Sequence, residues 1–297
     1  MNILVLSRDS KLYSTRRIVE AGRARGHDIS VVDHVKCDLV IARKDPHVVH
    51  NGERLRQVDA IIPRIGASVT FYGASVVRQF EAMKVFTTVE SQSLVRSRDK
   101  LRSLQILSKA GVDMPRTVFT NYSKDVAGAV ERVGGAPCII KLLEGTQGLG
   151  VVLAESRKAA VAVIEAFNSL KARVIVQEFI QEARGVDIRA FVVDGVIVGA
   201  MRRRGKEGEF RSNLHRGGAA ELIELSPEEE EIARHATRAL GLRVAGVDML
   251  QSTRGPLILE VNASPGLEGI EKATGKDIAG EIIGFVERSV VTKSSKV

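Results

Sequence analysis

Residues 246–266, GVDMLQSTRGPLILEVNASPG, constrain this chain more than any other stretch. Apolar runs at 244–251 and 256–262 flank a turn at Arg254-Gly255 and predict a pair of strands. Side chains at i and i+2 of a strand share a face. Glu260 and Asn262 therefore project together, with Leu259 and Val261 on the other side. If the strands run antiparallel, Asp248 reaches the same end of the sheet. Two carboxylates and an amide oxygen then converge, a small set of hard oxygen donors that leaves room for phosphates and suits Mg²⁺. The competing interpretation is an edge hairpin carrying solvated acids. The apolar neighbours of Glu260 predict a buried strand, where a lone carboxylate is expensive, and this favours the metal.

Three further segments gain weight beside such a site. In KLLEGTQGLG (141–150), Lys141 ends a strand and a glycine-rich loop leads into another. Its backbone N–H groups can face an anion, although the GK[ST] of a Walker A loop is missing and a plain hairpin turn is an equal reading. In QEFIQEARGVDIR (177–189), Glu178 ends a strand, and Asp187 and Arg189 lie on the next. A carboxylate and adjacent backbone groups there can bind an adenine edge and a ribose; alone, the segment is only a connection. The stretch 202–219 combines cations, an amide and glycines, and reads either as a solvated loop or as a clamp for phosphate and carboxylate. His215 alone reads as structural or surface, as do His27 after Gly26 and His235 on a helix.

The rest of the chain supplies a frame. NILVL (2–6), a helical segment ending at Arg25-Gly26, and ISVVD (29–33) open a parallel, doubly wound sheet, continued by a strand at 59–63 and a helix near 70–84. Loop 7–13 has no GxGxxG, so a dinucleotide site is unsupported. Residues 91–111 predict one helix capped at Gly111, and we place a domain boundary near residue 90. Then follow a strand at 117–119, a helix at 123–133, strands near 138–143 and 151–154, a helix at 156–169 and a strand at 173–180. A hairpin pairs 187–194 with 196–202 around Asp194-Gly195. Ser226-Pro227 with Glu229 marks a capped helix start, and a helix over 276–290 ends the fold. The expected units are 1–90, 91–180 and 181–297.

Composition narrows the partners. The net charge is +8, and arginine outnumbers lysine 29 to 15. Arginine suits carboxylates and phosphates, but with no Trp and three Tyr there is little to stack bases on. From charge alone, a solvated surface leads. No run is long enough to span a membrane, the start reads as a strand rather than a signal peptide, and Cys37 and Cys138, without a CxxC, fit a reducing cytoplasm and no structural zinc.

Taken together, ILSRDSKLYS, IPRIG, TFYG, SRDKLRS, KLLEGTQGLGVVLAE, EGEFRSNLHRGGAA and AGVDMLQSTRGPLILEVNASPGLEGIE resemble the ATP-grasp carboxylate–amine ligases, and among them the RimK-type α-L-glutamate ligases. The resemblance implies an α/β and α+β chain: a Rossmann-like N-terminal domain, then a two-lobed ATP-grasp fold whose antiparallel sheets clasp ATP. It implies Lys100 and Lys141 on the ATP phosphates, Glu178, Phe179 and the next backbone groups on adenine, and Asp187 on ribose. Arg211, Ser212 and Asn213 would meet the phosphate region, Arg211 and Asn213 acting on the acyl phosphate, and Asp248, Glu260 and Asn262 would hold two Mg²⁺ or Mn²⁺. It further implies L-glutamate and a Glu-ended ribosomal protein C-terminus as substrates, no required nucleic acid or membrane, a cytoplasmic enzyme, and a homotetramer. The same chemistry on free polyglutamate, a cofactor or a carrier protein, a phosphotransferase that stops at the phosphorylated substrate, and a non-catalytic RNA- or ribosome-binding protein are the alternatives; ADP release and amide product separate them.

Overall fold

The computed structural model describes residues 1–120, 125–143, 150–206, 208–212 and 217–294, with side chains through 291. The chain opens with a four-stranded parallel sheet in the order Asp28–Val32, Asn2–Leu6, Ala60–Pro63, Phe86–Thr87. Its strands are near-continuous apolar runs because helices cover the sheet. Asn2–Leu6 continues through Tyr13–Ala24 to one neighbour, and Ala60–Pro63 through Thr70–Ala82 to the other. The strand order therefore reverses between Asn2–Leu6 and Ala60–Pro63, and the crevice beyond their carboxyl ends is where open α/β sheets take ligands.

A small antiparallel sheet, Cys37–Val40, His47–His50 and Glu53–Arg54, was not expected from sequence. The helix Thr70–Ala82 holds it in place: Tyr72 Oη donates to the Cys37 carbonyl and Gln79 Nε2 to that of Val40, the latter at 2.9 Å. Beside it His34 is fully buried, with no hydrogen-bond partner at either ring nitrogen. Burial holds its pKa below the ordinary value, outweighing the opposing charge of Asp33. The unfolded chain, whose histidine titrates near ~6.5, thus binds the extra proton first, and stability falls as pH drops through that value. Urea midpoints at pH 7.5 and 5.5 should show a smaller acid loss for His34→Leu than for wild type; equal losses would assign the sensitivity elsewhere.

Residues 91–111 form two helices rather than one, Ser91–Arg98 and Lys100–Lys109. Asp99 leaves the helical conformation, and its side chain accepts from the Arg102 N–H at 3.0 Å, an N-cap that restarts the helix. An antiparallel sheet follows, ordered Val151–Ala154, Cys138–Leu142, Val174–Glu178, Thr117–Phe119. Cys138, Ile140, Ala154, Val174 and Val176 pack one of its faces under the helices Val126–Arg132 and Arg157–Ser169, forming a core of their own. Lys141, Gln177 and Thr117 lie on the other.

The last sheet is also antiparallel, ordered Ala219–Leu222, Val196–Arg204, Val186–Val193, Val244–Ser252, Gly255–Asn262. Helix Pro227–Leu240 packs against it and starts in the expected capping box of Ser226 and Glu229. A short helix, Glu268–Thr274, stands where a loop was expected. The final helix, Ile278–Ser294, returns to the first sheet, where Phe285 meets Phe86 edge to face at 5.5 Å. One continuous apolar core therefore joins the first and last sheets. Among the described residues, no helix is long and apolar enough to cross a membrane.

Candidate active site

Antiparallel pairing places Asp248 opposite Glu260 and Gly246 opposite Asn262, so the two carboxylates and the amide share one face. A bulge at Leu259 shifts the register between Asp248 and Met249 and ends the regular alternation there. Gly246 leaves room for the turn that follows: a Cβ there would stand 2.8 Å from Pro265 Cβ.

Glu260 is exposed, which corrects the expectation of a buried carboxylate. Its apolar neighbours Ile258 and Val261 are buried, while its own face opens on a cleft. Asn262 Nδ2 donates to Glu260 Oε1 at 3.0 Å. Across the cleft stand Lys141 of the central sheet and Lys100 from the start of the helix Lys100–Lys109. Lys141 Nζ donates to Gln177 Oε1 at 2.6 Å, and Lys100 Nζ to the Leu142 carbonyl at 3.0 Å. Burial pushes Lys141 down to about 8 and lowers Lys100; the charge of Glu260 opposes both shifts.

Asp248 is buried within an arginine clamp. Arg189 Nε and Nη2 donate to its two oxygens at 2.6 Å each, and Arg203 Nη2 to Oδ2 at 2.9 Å. Burial opposes its ionisation, but Arg189 and Arg203 outweigh burial and hold it well below the usual carboxylate range. Arg203 is buried too, and its Nε and Nη2 also donate to Asp187 at 2.7 and 2.5 Å. The buried Ser212 hydroxyl is a further partner of Asp187. Both oxygens of Asp187, the residue expected on ribose, are thus engaged by protein.

Glu178 ends the strand Val174–Glu178. It takes Arg254 Nη1 and Nη2 at 2.9 and 2.6 Å and the Arg116 N–H at 3.0 Å, and Arg254 above all lowers its pKa. An adenine edge would therefore meet backbone rather than the Glu178 carboxylate. Phe179 lines a cavity of about 120 Å³ with Pro137, Leu153, Glu155, Gln181 and Arg184. Arg211, in the connection between Val196–Arg204 and Ala219–Leu222, reaches the central sheet: Nη1 lies 3.4 Å from the Val151 carbonyl, while Nε and Nη2 each hold Glu209 at 2.8 Å. Asn213, His215 and the glycine-rich loop 144–149 lie outside the described residues.

The donor chemistry fits a hard divalent cation. Glu260 and Asn262 offer exposed oxygen, and Asp248 adds a carboxylate whose charge two arginines already balance. Among the described residues, no three His, Cys, Asp or Glu side chains cluster for a metal, so the amide oxygen of Asn262 is needed.

Sequence reasoning missed Arg203. The run 202–204 read as a solvated loop or clamp, yet the strand Val196–Arg204 includes it and turns Arg203 inward between Arg202, paired with Glu221, and the exposed Arg204. Period-two alternation was the available signal. Arg64 and Arg98 were also missed, and no local pattern announces them.

Comparison with known proteins agrees with this arrangement. Residues 97–286 match the RimK-like ATP-grasp domain, and residues 1–94 the RimK PreATP-grasp domain. The chain is 58% identical over 296 residues to the probable alpha-L-glutamate ligase of Aliivibrio fischeri (strain MJ11), covering 100% of this chain and 98% of that one. It is 59% identical over 295 residues to the protein of the same name from Pseudoalteromonas translucida (strain TAC 125), covering 99% and 98%. Among solved structures, the ATP-grasp ligase PsnB complexed with minimal precursor aligns with a TM-score of 0.77 at 23% identity, covering 97% of this chain and 99% of that one. The RimK domain ATP-grasp protein of Sphaerobacter thermophilus aligns with a TM-score of 0.71 at 22% identity, covering 96% and 99%. With a parallel sheet in front of two antiparallel lobes and matches that run end to end, the chain belongs to the RimK family of ATP-grasp proteins.

Proposed function

We propose that this protein is an ADP-forming carboxylate–amine ligase that adds L-glutamate to the glutamate-ended C-terminus of a small-subunit ribosomal protein. The observation that carries the reading is one cluster of facing charges: Lys141 of the central sheet and Lys100, which reaches the Leu142 carbonyl from its helix, both within the field of Glu260 beside Asn262, in a chain 58% identical to probable alpha-L-glutamate ligases.

A carboxylate is a poor acyl donor because oxide leaves badly. Transfer of the γ-phosphoryl group of ATP gives an acyl phosphate. The amine of glutamate then attacks the acyl carbon, phosphate departs with the bonding pair, and the amide forms on loss of the amine proton. Negative charge builds beside phosphate throughout, so fixed cations lower the barrier electrostatically. Lys100 and Lys141 supply two of them, and Arg211, Ser212 and Asn213 meet the transferred group. Glu260, Asn262 and Asp248 would hold Mg²⁺ or Mn²⁺, which supplies Lewis-acid stabilisation of the phosphates. No enzyme nucleophile is required. Exclusion of water from the cleft would protect the acyl phosphate from hydrolysis. The +8 charge would draw in an anionic nucleotide and an acidic peptide. A cytoplasmic homotetramer completes the proposal, with sedimentation velocity as its check.

The test is ADP release with Mg²⁺-ATP and glutamate, with and without a peptide ending in Glu-Glu, followed by intact mass. Peptide-dependent ADP together with added glutamyl units supports the reading. ADP with glutamate alone reassigns the enzyme to free polyglutamate, and ADP without amide marks a phosphotransferase. No ADP in either case removes the reading for this acceptor class.

A further inference from the structure

The crevice where the parallel strand order reverses is built from cations. Arg64 follows the strand Ala60–Pro63, and its Nη2 donates to the Pro265 carbonyl at 2.6 Å. Arg98 ends the helix Ser91–Arg98, and its Nη2 donates to the Ile65 carbonyl at 2.5 Å. Arg8, from the loop after Asn2–Leu6, comes to the same place: a Cβ on Gly66 would lie 3.6 Å from its Nη2. Among the described residues, neither Arg64 nor Arg98 has a carboxylate partner, whereas the buried Arg203 and the half-buried Arg189 and Arg17 all do. Burial lowers both guanidiniums, Arg64 to about 10, with Arg98 adding repulsion. Nε of Arg98 and Oγ of Ser264 are buried with no hydrogen-bond partner.

This arrangement is unfavourable as it stands. Recessed guanidiniums without a counter-ion lose hydration and receive no ion pair in return. The anion that acts on Arg98 is Glu260, whose charge a bound cation would neutralise; Arg64 feels only burial and the charge of Arg98. A guanidinium fork with an open Nε matches a carboxylate, and a serine hydroxyl can donate to the same group. Arg64 and Arg98 are anchored on the Pro265 and Ile65 carbonyls, whereas Lys141 is anchored on Gln177 of the central sheet.

We propose that Arg64, Arg98 and Ser264 form a carboxylate subsite that takes the free dicarboxylic amino acid and fixes it with its amine toward Glu260 and Asn262. This rests on the ligase reading above. The shared chemistry is an aliphatic carboxylate, which the acceptor peptide also carries. The recessed position of the guanidiniums favours the small molecule.

Two measurements test the subsite. In steady state, Arg98→Met should raise KM for glutamate about 10- to 100-fold while KM for ATP and for the acceptor peptide stays within about twofold. Arg98→Lys should restore only part of the loss, since it keeps the charge without the fork. Ser264→Ala should move the same parameter by a smaller factor. An unchanged KM for glutamate, or a rise confined to the acceptor peptide, overturns the assignment. Calorimetric binding of glutamate in the presence of a non-hydrolysable ATP analogue does not depend on turnover. Glutamate that binds wild type and is lost from Arg98→Met supports the subsite even if no ligase product forms, an outcome that would remove the ligase reading alone. Equal binding to both, or none to wild type, overturns the subsite. Unchanged circular dichroism and melting temperature exclude misfolding of the variants.

Discussion

Replacing Glu260 by alanine cuts ADP release by at least about 1000-fold and leaves the melting temperature unchanged. The two halves of this expectation have separate origins. Glu260 is exposed, and its side-chain partner is Asn262, so its removal opens no cavity; the half-buried Lys141 and Lys100, which lose its charge, keep Gln177 and the Leu142 carbonyl as hydrogen-bond partners. The loss falls on chemistry, because the residue would hold the cation that balances phosphate charge, a stabilisation worth several kcal/mol. Glu260→Gln should be nearly as inactive, since an amide keeps the shape and loses the charge. ADP release at a near wild-type rate by either variant would refute the metal assignment; a large fall in melting temperature would make Glu260 a structural residue.

The reverse pattern is expected at Arg203. Arg203→Met removes about 3–5 kcal/mol of stability. Arg203 is 4% exposed and serves two buried carboxylates, Asp187 at 2.7 and 2.5 Å and Asp248 at 2.9 Å. Methionine fills the space and leaves Asp187 without its cation, while Asp248 keeps Arg189. The cost is an uncompensated buried charge rather than a lost attraction, so a second change should return part of it: Asp187→Leu with Arg203→Met should be more stable than Arg203→Met alone. Urea midpoints of the single and double variants give the coupling directly. Two independent, additive losses would show that Asp187 and Arg203 do not act as a pair.

Asp248 gives the clamp a pH signature. Its folded pKa lies below its unfolded value near ~3.9, so its contribution is complete above that value and drains away as pH falls below it.

What the sequence disclosed about this fold depended on how local each determinant is. The helix start at Ser226 was readable because cap, proline and Glu229 lie within one turn. The hairpin carrying Asp248, Glu260 and Asn262 was readable because strand period and turn signal agree. The break at Asp99 was not, since the leucine spacing of 101–107 runs smoothly past a single capping side chain. The sheet over 37–54 was also missed: its strands are short and partly polar, and Tyr72 and Gln79 tie it down from a distant helix. The exposure of Glu260 could not be inferred from its neighbours, because Ile258 and Val261 pack below the sheet and report nothing of the cleft above. The arginines at 64 and 98 owe their setting to contacts spanning 201 and 33 positions, which no window on the sequence captures.

The two apolar cores described above divide the molecule mechanically. The first and last sheets share one interior, while the central sheet, between residues 117 and 178, keeps another. The protein is in effect a fixed anvil and a separately cohesive jaw, joined where Pro115 and Arg116 lead in and where residues 179–185 lead out. Glu260 and Asn262 sit on the anvil; Lys141 and Gln177 ride on the jaw. Any ligand that touches both lysine and carboxylate adds a bolt to the ties already present, among them Glu178 with Arg254, Arg211 with the Val151 carbonyl and Lys100 with that of Leu142. The empty molecule can then tolerate wear in the jaw, such as drift in its loops and substitutions under its helices, without loosening the anvil that carries the acid groups.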